Sequence, residues 1–322
     1  MLIRRIRGQQ RGLSVGAVSM IHTTKTFQNI ELFKTQFAYG HREILLDYMG
    51  LDHSHLFLGI LQHGFAATFE PWEANTPRTK KVFQRCPLWV FSEERAQGLK
   101  SLGHSNVSAI GAPWLYLPES KSDCLRQSLT ERFIVFPNHT DLRILPPSEA
   151  EIRAKVKFWK NLAGNNPLTI CLYWSDFLEQ SWRKVSEQED VLITLAGLGG
   201  LDPAWLPHSS RLNYLHNLRQ LLSIHTHAIF ETFTSAIFYA AFEGLDIACF
   251  PEVLTNREKL STTFLDGDPW IKKEMPSIYS NFDSSSNLAP CWNKMMGVDS
   301  KMTPEGLRRH LEIEPNCVPV LN

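Results

Sequence analysis

The sequence carries no CxxC pair, no long apolar run and no excess of either charge, and each absence removes a class of function. Its six cysteines (Cys86, Cys124, Cys171, Cys249, Cys291 and Cys317) are scattered. That spacing fits neither a zinc site nor a disulfide framework, and it reads as a reducing compartment. Cys171 and Cys249 fall in apolar runs, where a thiol packs as a small hydrophobe. Lys plus Arg and Asp plus Glu both number 33, so no basic field recruits nucleic acid or anionic lipid. No stretch reaches the roughly 18 consecutive apolar residues of a membrane span. The amino end, MLIRRIRGQQRG, is basic but lacks the apolar segment of a secretory signal. It is expected to be a loosely attached, solvated tail (1–20) on a cytoplasmic protein, with at most peripheral contact to the inner membrane face.

Familiar cofactor fingerprints are missing too. Gly197 to Gly200 reads GLGG followed by Asp202 and Pro203, which is not GxGxxG, and no GxxxxGK[ST] or HExxH occurs. His208, His216, His225 and His227 match no usual ligand spacing, so no metal and no resident cofactor are expected.

What is present is alternation. With 322 residues, 43% hydrophobic and 20% charged, the chain is long enough for two α/β halves. The stretch 224–252 reads as a β-α-β unit: a strand from His227 to Phe230, a polar turn from Glu231 to Thr234, a helix from Ser235 to Glu243, a stop at Gly244 and a second strand from Asp246 to Phe250. Thr234 or Ser235 suits the N-cap, so free N–H groups and the positive end of the helix dipole are expected to face outward and to suit a phosphate. The same residues would equally cap a helix that is simply buried.

The other strands follow one pattern, an apolar body with polar or aromatic residues at the carboxyl end, where open α/β sheets collect ligands. Leu56–Leu61 delivers Gln62, His63 and Gly64. Here a histidine could move a proton near neutrality, and the glycine would permit close approach; a histidine so placed can also merely pack. Leu88–Phe91 leads into a helix capped by Ser92, and Val107–Ile110 into the turn Gly111–Trp114. In the second half the strand ending at Phe136 delivers Asn138, His139 and Thr140, and a helix over 147–162 starts at the cap Ser148. LTICL delivers Tyr173, Trp174, Ser175 and Asp176, and VLITLAG delivers Thr194 and Gly197. Tyr214 to Leu222 reads as a helix, the Ser/Asn run 284–287 as part of a tail, and Thr303-Pro304-Glu305 as the start of a closing helix. These signals divide the chain into a first lobe (21–117), a linker (118–130), a second lobe (131–300) and a closing helix and tail (301–322).

The series LQHG, VFSE, IGAPWLYL, VFPNHT, ICLYW, VLITLAG and TSAIFYAAFEG, in this order over about Leu45 to Glu252, resembles compact GT-B glycosyltransferases. More narrowly, it is similar to bacterial proteins of capsule and surface polysaccharide synthesis. The resemblance implies two Rossmann-like lobes facing across a cleft, with a nucleotide-sugar donor held by the second and a glycan or lipid-linked acceptor by the first. It implies His63 as the base for the acceptor hydroxyl. His139, Thr140, Thr234 and Ser235 would stabilise the leaving phosphate, and Tyr173, Trp174, Thr194, Gly197, Glu231 and Glu243 would be available to the nucleotide. Related sialyltransferases and Kdo transferases carry His-Pro, whereas here the order is Pro137-Asn138-His139. No Asp-x-Asp motif is required by this architecture, which agrees with metal-independent transfer. A nucleotide-sugar epimerase, a polyol-phosphate transferase or a non-catalytic member of the fold remain the alternatives.

Overall fold

The computed structural model describes residues 38–53, 55, 59–62, 64–65, 87–118, 130–138, 147–197, 213–232, 234–250, 273–279 and 281–311. His63, His139 and Thr140 lie outside the described residues, as do the basic amino end and most of the expected linker.

The first sheet is parallel, with strands β1 (Ile60–Leu61), β2 (Leu88–Val90) and β3 (Val107–Ala109) side by side in chain order. Helix α1 (His41–Met49) precedes it and helix α2 (Glu93–Ser101) joins β2 to β3. Ser92 caps α2 by accepting the Arg95 N–H, and Glu93 and Glu94 complement the dipole in its first turn. Ala96 and Leu99 of α2 close one face of the sheet over Ile60, Leu88, Val90, Val107 and Ala109.

The second sheet is also wholly parallel. Its strands are β4 (Phe133–Phe136), β5 (Leu168–Leu172), β6 (Leu192–Leu195), β7 (His227–Phe230) and β8 (Asp246–Cys249), in the order β6-β5-β4-β7-β8. Helices α3 (Glu149–Ala163), α4 (Trp174–Phe177), α5 (Gln180–Glu189), α6 (Tyr214–Ser223) and α7 (Ala236–Phe242) connect them. The α3 start is a full capping box, Ser148 with Glu151. Ile152, Val156 and Trp159 of α3 and Trp182 and Val185 of α5 cover one face, packed on Phe133, Val135, Ile170, Leu172 and Ile229. Leu215, Leu218 and Leu222 of α6 and nearly all of α7 cover the other. From β4 the chain winds outward to β5 and β6, then returns to β7 and β8. The order therefore reverses between β4 and β7, the switch point at which doubly wound sheets open a crevice. Strands β6 and β8 form the two edges of the sheet, and Leu192 of β6 is exposed.

The end of the chain returns to the first sheet. The Ser/Asn run read as tail begins helix α8 (Ser285–Met296), capped by Ser284, whose hydroxyl accepts the Asn287 N–H. Pro290 within the helix obscures the helical pattern in the sequence. Helix α5 likewise went unassigned, because its polar sequence shows little apolar stripe. The Ala112 N–H then donates to Met296 O at 2.8 Å, and helix α9 (Pro304–Leu311) lies on α1, with Arg308 bonded to Met49 O and Tyr48 Oη donating to Met302 O. Among the described residues no helix is long and apolar enough to cross a membrane.

Gly297 makes this return possible. Its φ is +66°, and a Cβ there would stand 1.8 Å from Phe91 O. Gly297→Ala is expected to lower stability by about 2 kcal/mol or more, since backbone must move to admit the methyl. Thermal melting of the full chain checks this, the control being Gly164→Ala, where φ is also positive but space is open.

Candidate functional site

Helix α7 is the element both sheets share. Ala236 to Ala241 are all buried. Phe238 and Tyr239 meet Phe65 from the first half, with ring centroids 4.6 and 5.7 Å apart, and Tyr239 stacks on Trp114 at 4.3 Å and 9°. Beside that stack, Glu243 Oε1 accepts from Trp114 Nε1 at 3.0 Å and from Arg219 Nε at 2.8 Å, and the Arg219 guanidinium lies 5.0 Å over the Trp114 ring. Burial raises the Tyr239 and Tyr214 phenols well above the ordinary tyrosine range, so both are neutral packing groups. Glu243, expected near the nucleotide, is thus engaged at the carboxyl end of α7 by protein partners.

At the other end of α7, Thr234 and Ser235 are half-buried. Ser235 Oγ accepts the Phe65 N–H at 3.3 Å, and a Cβ on Gly64 would lie 2.9 Å from that hydroxyl. The glycine beside His63 therefore admits Ser235 of the opposite half. The expectation of free, outward N–H groups is corrected here. Thr234 Oγ1 accepts the Ala236 N–H at 3.1 Å and Thr234 O the Ile237 N–H at 3.1 Å, while Ser235 O takes the Phe238 N–H. A threonine one residue ahead of the cap folds back over donors that an anion would need.

The switch point between β4 and β7 is built around Glu231, which is fully buried. Its Oε2 accepts from Lys155 Nζ and from the Asn138 N–H, each at 2.8 Å. Burial raises its pKa above the ordinary carboxylate value, the Lys155 ammonium opposes this, and the nearby Asp176 adds to it. Lys155 was missed in the sequence, yet it had a signal: it stands on the buried stripe Ile152, Val156, Trp159, where a lysine needs a partner. Of the remaining predicted residues, Tyr173 and Trp174 begin α4 just past β5, with rings 5.9 Å apart. Thr194 lies in β6, in register with Cys171, and Gly197 follows at φ 139°. All four are half-buried. Burial pushes the Cys171 thiol up to about 12, keeping it protonated and inert.

A cavity of about 380 Å³ opens between the first half and the facing helix α8. The first half supplies Gln62, Ser92, Glu94 and Arg95 from the carboxyl ends of β1 and β2 and the first turn of α2; the facing wall is 274–277, Asp283 and α8. Gln62 is held by the Phe91 N–H and by Gly64 O, and Lys294 pairs with Glu94 at 2.9 Å across the rim. The lining mixes both charges with apolar Met275, Leu288 and Pro290, as a site for a polar but uncharged group would. None of the described predicted residues lines it; Gln62, next to His63 in the chain, comes nearest.

No family model matches the chain, and no curated protein matches it. Among solved structures it is similar to an S. aureus MnaA–UDP co-structure (TM-score 0.41, 12% identity, 78% of this chain and 65% of that one). It is similar also to UDP-GlcNAc 2-epimerase from Neisseria meningitidis bound to UDP-GlcNAc (0.38, 12%, 77% and 66%) and to TarM (0.33, 8%, 82% and 48%). The chain thus spans just under two thirds of the first two and about half of the third. Likeness at this level assigns neither substrate nor reaction.

The geometry around Glu243 makes a distinction that affinity and stability measurements can read separately. Glu243→Ala is expected to cost about 2–3 kcal/mol, because it leaves the Arg219 charge and the Trp114 N–H without their shared acceptor. Nucleotide affinity of the folded fraction should be unchanged; a selective loss of affinity with normal melting would place Glu243 in a binding site instead.

Proposed function

We propose that the chain is a GT-B-type enzyme acting on a nucleotide-sugar and, more narrowly, a glycosyltransferase of surface polysaccharide synthesis. The observation that carries this reading is the contact of Ser235 Oγ with the Phe65 N–H. It brings the segment just after His63 against the start of α7, so the two elements assigned to opposite ends of the transfer meet at one junction. The ordered motif series from LQHG to TSAIFYAAFEG supports the same architecture.

In this reading the acceptor hydroxyl loses its proton to His63 while its oxygen attacks the anomeric carbon. The bond from that carbon to the phosphate oxygen breaks, and the charge left on the nucleotide is met by His139 and Thr140 together with the hydroxyls of Thr234 and Ser235. With the first-turn N–H groups occupied, those hydroxyls and the imidazole carry the stabilisation. Tyr173, Trp174, Thr194 and Gly197 offer the aromatic and backbone surface for the base and ribose. The mixed lining of the 380 Å³ cavity suits a polyhydroxylated acceptor. The donor is a nucleotide-sugar, the acceptor a glycan or a lipid-linked glycan, and the protein works in the cytoplasm, at the membrane only through its acceptor.

Two measurements test the reading. A panel of UDP, GDP, CMP and CDP should include one nucleotide that raises the melting temperature; at 100-fold excess over its dissociation constant the gain is about 2.7 kcal/mol. His63→Ala should then abolish transfer from a labelled donor while that thermal shift persists. Turnover that survives His63→Ala nearly unaltered would remove the base from this scheme. Analysis of the labelled sugar separates transfer from epimerisation, which would return the label as a free or nucleotide-linked isomer without an acceptor.

A further inference from the structure

We infer that Lys155 and Glu231 form a positioning pair that fixes the turn after β4 at the switch point, and with it the point from which the chain enters His139 and Thr140. The inference rests on the reading above only in assigning those two residues to the phosphate.

Both side chains are buried, Lys155 at 8% and Glu231 at 0% exposure. In such a place the attraction between charges roughly offsets the cost of removing them from water, and apolar residues of similar size would hold the elements together as well or better. Packing does not require the pair. Ile152, Val156 and Trp159 already seat α3 on Val135, Ile170 and Ile229. What no apolar pair could do is accept the Asn138 N–H, which Glu231 Oε2 takes at 2.8 Å while Lys155 holds the same oxygen from the other side. Two further contacts run along the same seam: Thr232 Oγ1 donates to Asn138 Oδ1 at 3.4 Å, and the Glu231 N–H to Phe136 O at 3.3 Å. The turns that follow β4 and β7 are therefore tied to each other by side chain and backbone where the strand order reverses. Burial favours the protonated carboxyl, and the Lys155 ammonium and the Asn138 N–H oppose it.

The test uses the full chain and three forms: wild type, the apolar pair Lys155→Met with Glu231→Leu, and Glu231→Gln, which retains an acceptor oxygen. Amide hydrogen exchange is followed on peptides covering 137–140 and, as a reference, 149–163. In the apolar pair the 137–140 peptide should exchange roughly tenfold faster or more, with 149–163 and the melting temperature near wild type. Glu231→Gln should restore protection of 137–140 to within about threefold of wild type. For the nucleotide that wild type binds, affinity should fall roughly tenfold in the apolar pair and recover in Glu231→Gln. Unchanged exchange at 137–140 in the apolar pair, or equal loosening of 149–163, overturns the inference, the latter by making the pair a packing element. Should the apolar pair fail to fold, Glu231→Gln decides: exchange at 137–140 as slow as wild type with affinity retained supports the acceptor role, and fast exchange overturns it. Wild type that binds none of the four nucleotides overturns the phosphate assignment instead, and the exchange result still decides whether the pair anchors the turn.

Discussion

The stack of Trp114 on Tyr239, keyed by Glu243 and Arg219, is the interaction on which the arrangement of the two sheets depends. Trp114 belongs to the turn that leaves the first sheet and Tyr239 to the helix that crosses the second. Their contact makes α7 part of both cores at once. Aromatic area supplies the attraction, and the carboxylate supplies direction, since only one orientation of the indole lets its N–H reach Glu243. A sequence with Phe in place of Trp114 would keep much of the aromatic area and lose the orientation.

Once α7 is seated in this way, the surroundings of its two ends follow. Its carboxyl end is closed by charge pairing. Its amino end faces Gly64 and Phe65, where Ser235 comes close enough for its hydroxyl to bond to the Phe65 backbone. The carboxyl ends of β1 and β2 open toward α8, and the cavity lies between them.

Much of this was legible in the residues themselves. Strand bodies are apolar and their carboxyl ends polar, so the eight parallel strands among the described residues and the caps Ser92 and Ser148 could be read directly. The relation of distant elements could not be. Nothing local in Glu231 or Glu243 tells whether a carboxylate meets a ligand, a lysine or an indole. Both were read as ligand groups, and both are bonded to protein partners, because partners 76 and 129 residues away decide their surroundings. Thr234 misled for a related reason: a good capping residue consumes the donors that make a helix start attractive to anions. The cavity was invisible because six of its fifteen lining residues come from α8, whose Ser-rich opening and internal proline imitate a tail.

The return of the chain after α8 sets the kind of movement the molecule can make. The segment that leaves the first half, Gly111–Leu117, and the return at Gly297 run side by side, joined by Ala112 to Met296 and Met302 to Tyr116. Two adjacent tethers resist sliding and separation but leave a swivel about the line through them as the softest degree of freedom. Such a swivel would be felt at the exposed Lys294–Glu94 bridge, which joins α8 to α2 across the rim of the cavity.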